Sequence, residues 1–233
     1  MKLKITTVGN SAGVVLPKEG FLQGLQDLTR KHGALLIIDE VITGFRLHYG
    51  AAQALLGVEG DLTTMGKIIG GGVPVAAYGG RAELMNNVAP LGPVYQAGTL
   101  AGNPLAMSAG IATLNELAKP GLYDGINALA RKLVHGLRNA LAGAGIPSQV
   151  NSIASLSTIF FTPDPVSNYD GAKRSDTKLY ARYFREMLNR GIFLAPSQFE
   201  AAFVSASHTP ADIDRTISAA QEVLKFIAAQ PSA

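Results

Sequence analysis

The sequence predicts an α/β fold, in which helices alternate with short buried strands. Apolar residues recur at helical spacing over about 20–31, and Gly33 then precedes a continuous apolar run over 34–38 that is typical of a buried parallel strand. Of the 233 residues, 47% are hydrophobic and 16% are charged, so the chain is expected to bury a core rather than stay disordered. Helical and strand patterns that alternate in this way predict α/β layers throughout.

Breaks and helix caps divide the rest of the chain. Pro120-Gly121 interrupts the pattern, and a domain boundary is expected near 118–121, which gives the segments 1–19, 20–118 and 119–233. Thr209 followed by Pro210 is typical of a helix start. The other expected elements are strands over 74–78 and 155–162 and helices over 103–117, 122–143 and 175–190.

Composition limits the partners and the compartment. The formal net charge is +3, which is too small for the electrostatic footprint of a nucleic-acid-binding protein. The chain has no cysteine and its histidines lack metal-ligand spacing, so neither a disulfide framework nor a metal site is expected. Because no apolar run reaches about 20 residues and no secretory or transit signal is evident, we expect a cytoplasmic protein without a membrane or nucleic-acid partner.

Asp39 and Lys67 are the candidate chemical groups. Asp39 stands at the carboxyl end of the apolar run, where open α/β sheets bind ligands. Lys67 lies between apolar residues and the triple glycine 70–72, and desolvation there would leave a nucleophilic amine. A buried amine and a carboxylate are the pair that pyridoxal phosphate chemistry requires. Each residue also has an ordinary interpretation: Asp39 as a helix cap or ion-pair partner, and Lys67 as a surface charge.

Four segments carry a family resemblance. The stretch LIIDEVITGFR over 36–46, followed by GKIIGGG over 66–72, resembles the signature of the class III pyridoxal-phosphate aminotransferases. GPVYQAGTLAGNP over 92–104 and SQFEAAFVS over 197–205 are more similar to the glutamate-1-semialdehyde aminomutases of that family than to its general transaminases. The resemblance implies a partial fold-type I transferase: the C-terminal part of the large cofactor-binding domain over 20–118 and the small α/β domain over 119–233.

The resemblance implies pyridoxal 5'-phosphate or pyridoxamine 5'-phosphate as cofactor and assigns residues to it. Lys67 would bind the cofactor covalently and move protons between it and the substrate carbon. Asp39 would keep the ring nitrogen protonated, and Val41 would pack under the ring, although core packing is the alternative for Val41.

Substrate and subunit contacts are implied in the same way. Gly98 and Thr99 would bind the cofactor phosphate of a partner subunit in a homodimer, and Glu200 would lie near the amine of a small amino-aldehyde substrate. Thr99 as a helix cap and Glu200 as a surface acid are the alternatives. The implied reaction is an internal amino transfer that converts glutamate 1-semialdehyde into 5-aminolevulinate, a step of tetrapyrrole synthesis.

Two alternatives stay open. A class III ω-aminotransferase would use separate amino donors and acceptors. Residues 1–19 also resemble the start of swapped-hairpin antitoxins and transition-state regulators, which bind DNA. Alternation at Leu3, Ile5 and Thr7, a turn at Gly9-Asn10 and an apolar run over 14–16 predict a hairpin. The same residues resemble a strand of the aminomutases. Because the resemblance covers only the C-terminal half of that family, a truncated enzyme is expected.

Overall fold

The computed structural model describes residues 2–6, 8 and 12–230. The chain divides into two compact units. The first unit comprises Met1–Val8 and Pro17–Pro120, and the second comprises Gly9–Leu16 and Gly121–Ala233.

The first unit is built on a four-stranded sheet of order β1-β2-β3-β4, in which β1, β2 and β3 are parallel and β4 is antiparallel to β3. A 3-10 helix (Lys67–Gly70) follows β3. The described strands and helices are β1 (Lys2–Thr6), α1 (Phe21–Lys31), β2 (Leu35–Asp39), α2 (Ala51–Leu56), β3 (Leu62–Met65), β4 (Ala77–Gly80), α3 (Ala82–Met85) and α4 (Pro104–Leu117).

The predicted strand at 34–38 is confirmed as β2, with a parallel neighbour on each side. It is buried only at alternate positions, however: Leu36 and Ile38 pack with Leu22 of α1 and with Val58, while Leu35 and Ile37 stay half-buried on the other face. The predicted α1 is confirmed as well. Its chain reversal passes through Gly33 at φ +59°, a left-handed conformation that glycine adopts without a steric penalty.

The strand expected at 74–78 begins only at Ala77, because Pro74 has no N–H to donate to a sheet. Strand β3 was not expected from the sequence, since its four residues are too few to show a clear period.

The N-terminal hairpin prediction is wrong for the described residues. Strand β1 pairs in parallel with β2, in the register Leu3–Leu36 and Ile5–Ile38. Alternation shows which side chains share a face but not which strand lies alongside, and the face of β2 gives Leu3 and Ile5 an apolar surface to cover. The expected turn at Gly9-Asn10, together with Thr7, lies outside the described residues.

The segment over 12–16 packs within the second unit. The Val14 amide donates to Thr158 Oγ1 at 2.9 Å, and Asn151 Nδ2 donates to the Val14 carbonyl at 2.9 Å. Gly13 lies against the Phe160 ring, where an added Cβ would come within 2.6 Å of a ring carbon. Only glycine therefore fits at this position.

The second unit has an antiparallel sheet of order β5-β6-β7. Its core lies between this sheet and the helices α5, α7 and α8, and includes Tyr183, Met187 and Leu224. The helices predicted at 122–143, at 175–190 and after Thr209 are confirmed. The described elements are α5 (Leu122–Gly143), β5 (Gln149–Ile153), β6 (Leu156–Phe160), α6 (Tyr169–Lys173), α7 (Thr177–Asn189), β7 (Ala202–Phe203) and α8 (Pro210–Ala229).

None of the helices over the described ranges combines the length and the apolar character needed to cross a bilayer.

Candidate active site

The carboxylate of Asp39 is held at the carboxyl end of β2, and both of its oxygens have partners. The Val41 amide donates to Oδ1 at 3.0 Å, and Lys4 Nζ lies 3.0 Å from Oδ2. The Asp39 side chain is 23% exposed, whereas that of Lys4 is 61% exposed. The ion pair, one of the two ordinary interpretations of Asp39, is therefore present in the structure.

Opposing influences act on the pKa of Asp39. Burial by itself raises the pKa, but the Val41 amide and the Lys4 ammonium lower it by more, so the pKa lies below its ordinary value. Asp39 is consequently an anion at neutral pH. A half-buried anion at this position suits a cationic ring nitrogen.

Lys67 follows β3, whose residue Thr64 is paired with Asp39 in the parallel register. The carboxyl ends of adjacent parallel strands meet at one end of a sheet, so Asp39 and Lys67 lie at the same end of this one. Lys67 begins the 3-10 helix at φ +50° and is exposed, and within the described ranges no carboxylate is in ion-pair contact with its amine. The expectation of a desolvated lysine is wrong, because the turn buries Ile69 and Gly70 instead.

Val41 packs against the residue that precedes Lys67. A Cβ placed on Gly66 would lie 3.4 Å from Val41 Cγ1, so the turn after β2 and the turn after β3 are in contact through these two residues. Val41 is half-buried, and its amide orients Asp39. The structure thus brings Asp39, Val41 and Lys67 to one place; their roles toward a cofactor stay a prediction.

The glycines after Lys67 have a packing function. Gly71 has φ +59°, and an added Cβ would lie 2.4 Å from Thr113 Oγ1 and 2.9 Å from the Ala109 carbonyl of α4. On the opposite side of the same contact, a Cβ added to Gly110 of α4 would lie 2.7 Å from the Ile69 carbonyl oxygen. Backbones of α4 and the 3-10 helix therefore approach closely, and this contact supports the turn that carries Lys67.

Glu40 is a supporting residue that the sequence analysis did not identify. Its side chain is completely buried and accepts hydrogen bonds from the Thr43 hydroxyl, from the Ala52 amide at 3.2 Å and from the Gln53 amide at 2.9 Å. It joins the turn after β2 to the start of α2 and so supports the neighbouring Asp39. Its position directly after Asp39 is the one signal that the sequence offers, and that signal does not reveal burial.

Lys4 is the second residue that was missed. The segment that contains it was interpreted as part of a hairpin, and only the parallel pairing of β1 with β2 puts Lys4 on the same face as Asp39. Residues two apart on a strand share a face, and diagonal neighbours on adjacent strands are within reach of a long side chain.

Gly98 and Thr99 lie in an exposed loop before α4. The helix itself is capped by Asn103, whose side-chain oxygen accepts from the Ala106 amide at 3.2 Å, so the alternative of Thr99 as cap is wrong. Their role toward a cofactor phosphate of a partner subunit stays a prediction.

Glu200 belongs to the second unit and is exposed. It borders a cavity of about 730 Å³ that is also lined by Leu194, His208 and Thr216. Burial, and after it the charge of Glu200, raises the pKa of Tyr180 to about 12. The role of Glu200 toward a substrate amine stays a prediction.

A cavity of about 850 Å³ in the first unit is lined by Gln26, Arg30, Gln53 and Arg81 among others. Its lining includes neither Asp39 nor Lys67. Arg81 is already bound to Asp61 at 2.6 Å and to Glu83 at 2.6 Å, so this cavity offers no free pair of cations to a ligand.

The family follows from comparison with known proteins. The sequence matches the aminotransferase class-III family over residues 5–209. The chain therefore belongs to the class-III aminotransferases, as the motifs around Asp39 and Lys67 predicted.

Two curated relatives show which members of the family the chain is similar to. The chain is 54% identical over 222 residues to the glutamate-1-semialdehyde 2,1-aminomutase of Desulforudis audaxviator, covering 95% of this chain and 51% of the relative. It is 58% identical over 216 residues to the protein of the same name from Desulforamulus reducens, covering 93% and 50%. The chain thus spans about half the length of the curated relatives it matches.

Solved structures have the same fold, and the match again covers nearly all of this chain and about half of each solved chain. An omega-transaminase from Sphaerobacter thermophilus matches with a TM-score of 0.85 and 34% identity, covering 92% of this chain and 49% of that one. A glutamate-1-semialdehyde aminomutase from Pseudomonas aeruginosa in complex with PMP matches with a TM-score of 0.85 and 27% identity, covering 95% and 51%. The expected partial fold of a class III aminotransferase is confirmed.

Proposed function

We propose that this chain is the cofactor-bearing part of a glutamate-1-semialdehyde aminomutase, which converts glutamate 1-semialdehyde into 5-aminolevulinate by internal amino transfer. The observation that carries the proposal is the meeting of Asp39, Val41 and Lys67 at the carboxyl end of one parallel sheet. Identities of 54% and 58% to relatives of that name support this reaction above others. We further propose a cytoplasmic homodimer.

The residues present fit pyridoxal phosphate as a cofactor. Lys67 offers an amine without an ion-pair partner in the described part of the chain, and Asp39 offers an anion. Gly98 and Thr99 precede α4 as candidate phosphate donors. When bound, the cofactor supplies an electron sink for carbanion chemistry.

The protein residues then have separate tasks. The Lys67 amine would hold the cofactor covalently through its aldehyde carbon and would carry a proton to and from the substrate carbon. The Asp39 carboxylate would keep the ring nitrogen protonated by charge and hydrogen bonding. Val41 fixes the carboxylate through its amide and covers the glycine before Lys67.

The test is to trap the cofactor on the protein. Purified chain is incubated with pyridoxal phosphate, reduced with borohydride and mapped by peptide mass spectrometry. We expect the adduct on Lys67 and its loss in both Lys67→Ala and Lys67→Arg, because an arginine retains the charge but forms no such adduct. Lys119→Ala is the matched control, since Lys119 is exposed and paired with Glu116 at 2.7 Å. An adduct that persists elsewhere after Lys67 is replaced would contradict the assignment.

A second enzymatic candidate is a class III ω-aminotransferase, which the match to the Sphaerobacter thermophilus structure favours. Separate amino donors and keto acceptors distinguish the two: turnover that requires both identifies a transaminase, whereas turnover of glutamate 1-semialdehyde alone identifies an aminomutase. The DNA-binding alternative has lost its structural basis, because β1 lies in the parallel sheet and forms no hairpin among the described residues.

A further inference from the structure

The ion pair between Lys4 and Asp39 concerns the carboxylate that the proposed function assigns to the cofactor ring. Lys4 Nζ lies 3.0 Å from Asp39 Oδ2, while the other oxygen accepts from the Val41 amide. In the sheet register Lys4 is opposite Ile37 and Thr6 is opposite Asp39, so the lysine side chain reaches diagonally from β1 to the acid on the adjacent strand β2.

We propose that Lys4 competes with the cofactor ring nitrogen for the carboxylate of Asp39, and so weakens cofactor binding by this chain. The proposal rests on the proposed function, because it takes Asp39 as the partner of the ring nitrogen. A pyridinium nitrogen and an ammonium group both carry positive charge, and placing both beside one carboxylate is opposed by their mutual repulsion. Binding of the ring therefore requires that the Lys4 side chain swing away or that the ring nitrogen lose its proton.

The exposure of the Lys4 side chain determines how much it weakens cofactor binding. Its side chain is 61% exposed, so it can leave Asp39 and be solvated elsewhere at little cost. Exposed ion pairs contribute little, and the corresponding change in cofactor affinity is about two- to fivefold. Lys4 consequently tunes the affinity of the cofactor and does not block its site.

The experiment compares Lys4→Met with Lys2→Met. Methionine keeps an unbranched apolar stem without the charge, and Lys2 is on the same face of β1, two residues away and opposite Leu35. Pyridoxal phosphate is titrated into each protein and binding is followed by absorbance. We expect about two- to fivefold tighter binding by Lys4→Met and no change for Lys2→Met.

A cofactor analogue tests whether the effect of Lys4 depends on the charge of the ring nitrogen. In the analogue that has carbon in place of this nitrogen, no cation forms, and we expect Lys4→Met to bind it as the unaltered protein does. Carboxyl NMR titration provides a readout that needs no cofactor: removal of the Lys4 charge should raise the pKa of Asp39, and Lys2→Met should leave it unchanged.

The outcomes are separable. Equal affinities in Lys4→Met and the unaltered protein, or an equal gain with the carbon analogue, overturn the competition while leaving the adduct on Lys67 intact. An unchanged pKa of Asp39 in Lys4→Met overturns the ion pair itself. Absence of any adduct on Lys67 contradicts the proposed function, and the competition falls with it.

Discussion

At the scale of single residues, the candidate site depends on side chains that hold its backbone in place. Glu40 is the main example, because its buried carboxylate accepts hydrogen bonds from the Thr43 hydroxyl and from two amides at the start of α2. A buried donor that loses its acceptor costs about 1–3 kcal/mol of stability. Glu40 therefore contributes to the stability of the fold at the position next to Asp39.

We expect Glu40→Ala to lower the free energy of unfolding by about 3 kcal/mol or more, since three donors lose their partner. Urea denaturation followed by circular dichroism measures this. Glu59→Gln, a change at an exposed side chain, is the control and should shift the free energy by less than about 0.5 kcal/mol. Equal stabilities for Glu40→Ala and the control would show that the buried network is unimportant.

At the scale of elements, the close contact of α4 with the 3-10 helix sets the position of Lys67. Gly71→Ala introduces a Cβ 2.4 Å from Thr113 Oγ1, whereas Gly72→Ala introduces one with nothing within 4 Å. Both glycines have positive φ, at +59° and +93°, so each substitution adds backbone strain, but only Gly71→Ala adds a clash. We expect Gly71→Ala to be the less stable variant by about 1–3 kcal/mol in the same denaturation measurement, and a smaller loss than in Gly72→Ala would contradict the packing.

The start of α8 provides a pH-dependent test. Thr209 and Asp212 form a capping box, and the Thr209 amide, followed by its hydroxyl, lowers the pKa of Asp212. A lowered folded-state pKa means that this contribution to stability is complete above the unfolded value of about 3.9 and is lost as the pH falls through the folded value.

We therefore expect Asp212→Asn to be less stable than the unaltered protein at pH 7 and the difference to shrink below about pH 4. Thermal unfolding at a series of pH values measures the difference. A gap that stays constant down to the lowest pH would mean that the charge of Asp212 does not contribute.

At the scale of the whole molecule, apolar side chains of the first unit are left uncovered. Helix α4 has a single charged residue, Glu116, and exposes Leu105 at 71% and Ile111 at 62%, while Tyr95 in the preceding loop is 83% exposed. A helix that is apolar on nearly every side is normally buried in the complete protein. The chain spans about half the length of the curated relatives it matches. The exposed apolar side chains of α4 and of the preceding loop are therefore candidates for contact with further protein.

We expect the purified chain to self-associate through this helix, in line with the proposed homodimer. Light scattering after size exclusion should give a mass above that of one chain, and Leu105→Asn combined with Ile111→Asn should reduce it. Leu188→Asn, a change at an exposed leucine of the second unit, is the control and should leave the mass unchanged. A thermally stable monomer of the unaltered chain would contradict the prediction.

Local patterns were sufficient for the longer helices and for the family, but not for the short helices α2, α3 and α6. Helices α1, α4, α5 and α8 follow from apolar spacing and from caps such as Thr209, because a helix satisfies its hydrogen bonds with residues close in sequence. The motifs around Asp39 and Lys67 were likewise readable, because each is a continuous stretch.

Pairing across the sheet was decided only by the tertiary structure. Alternation in β1 left open whether it folds back as a hairpin or lies parallel to β2, since a strand's hydrogen bonds go to a neighbour that its own residues do not specify. The burial of Glu40, the exposure of Lys67 and the ion pair of Lys4 with Asp39 all depend on that arrangement. The sequence therefore shows which charged residues are present. The interaction partner of each one is determined by how the strands and turns pack together.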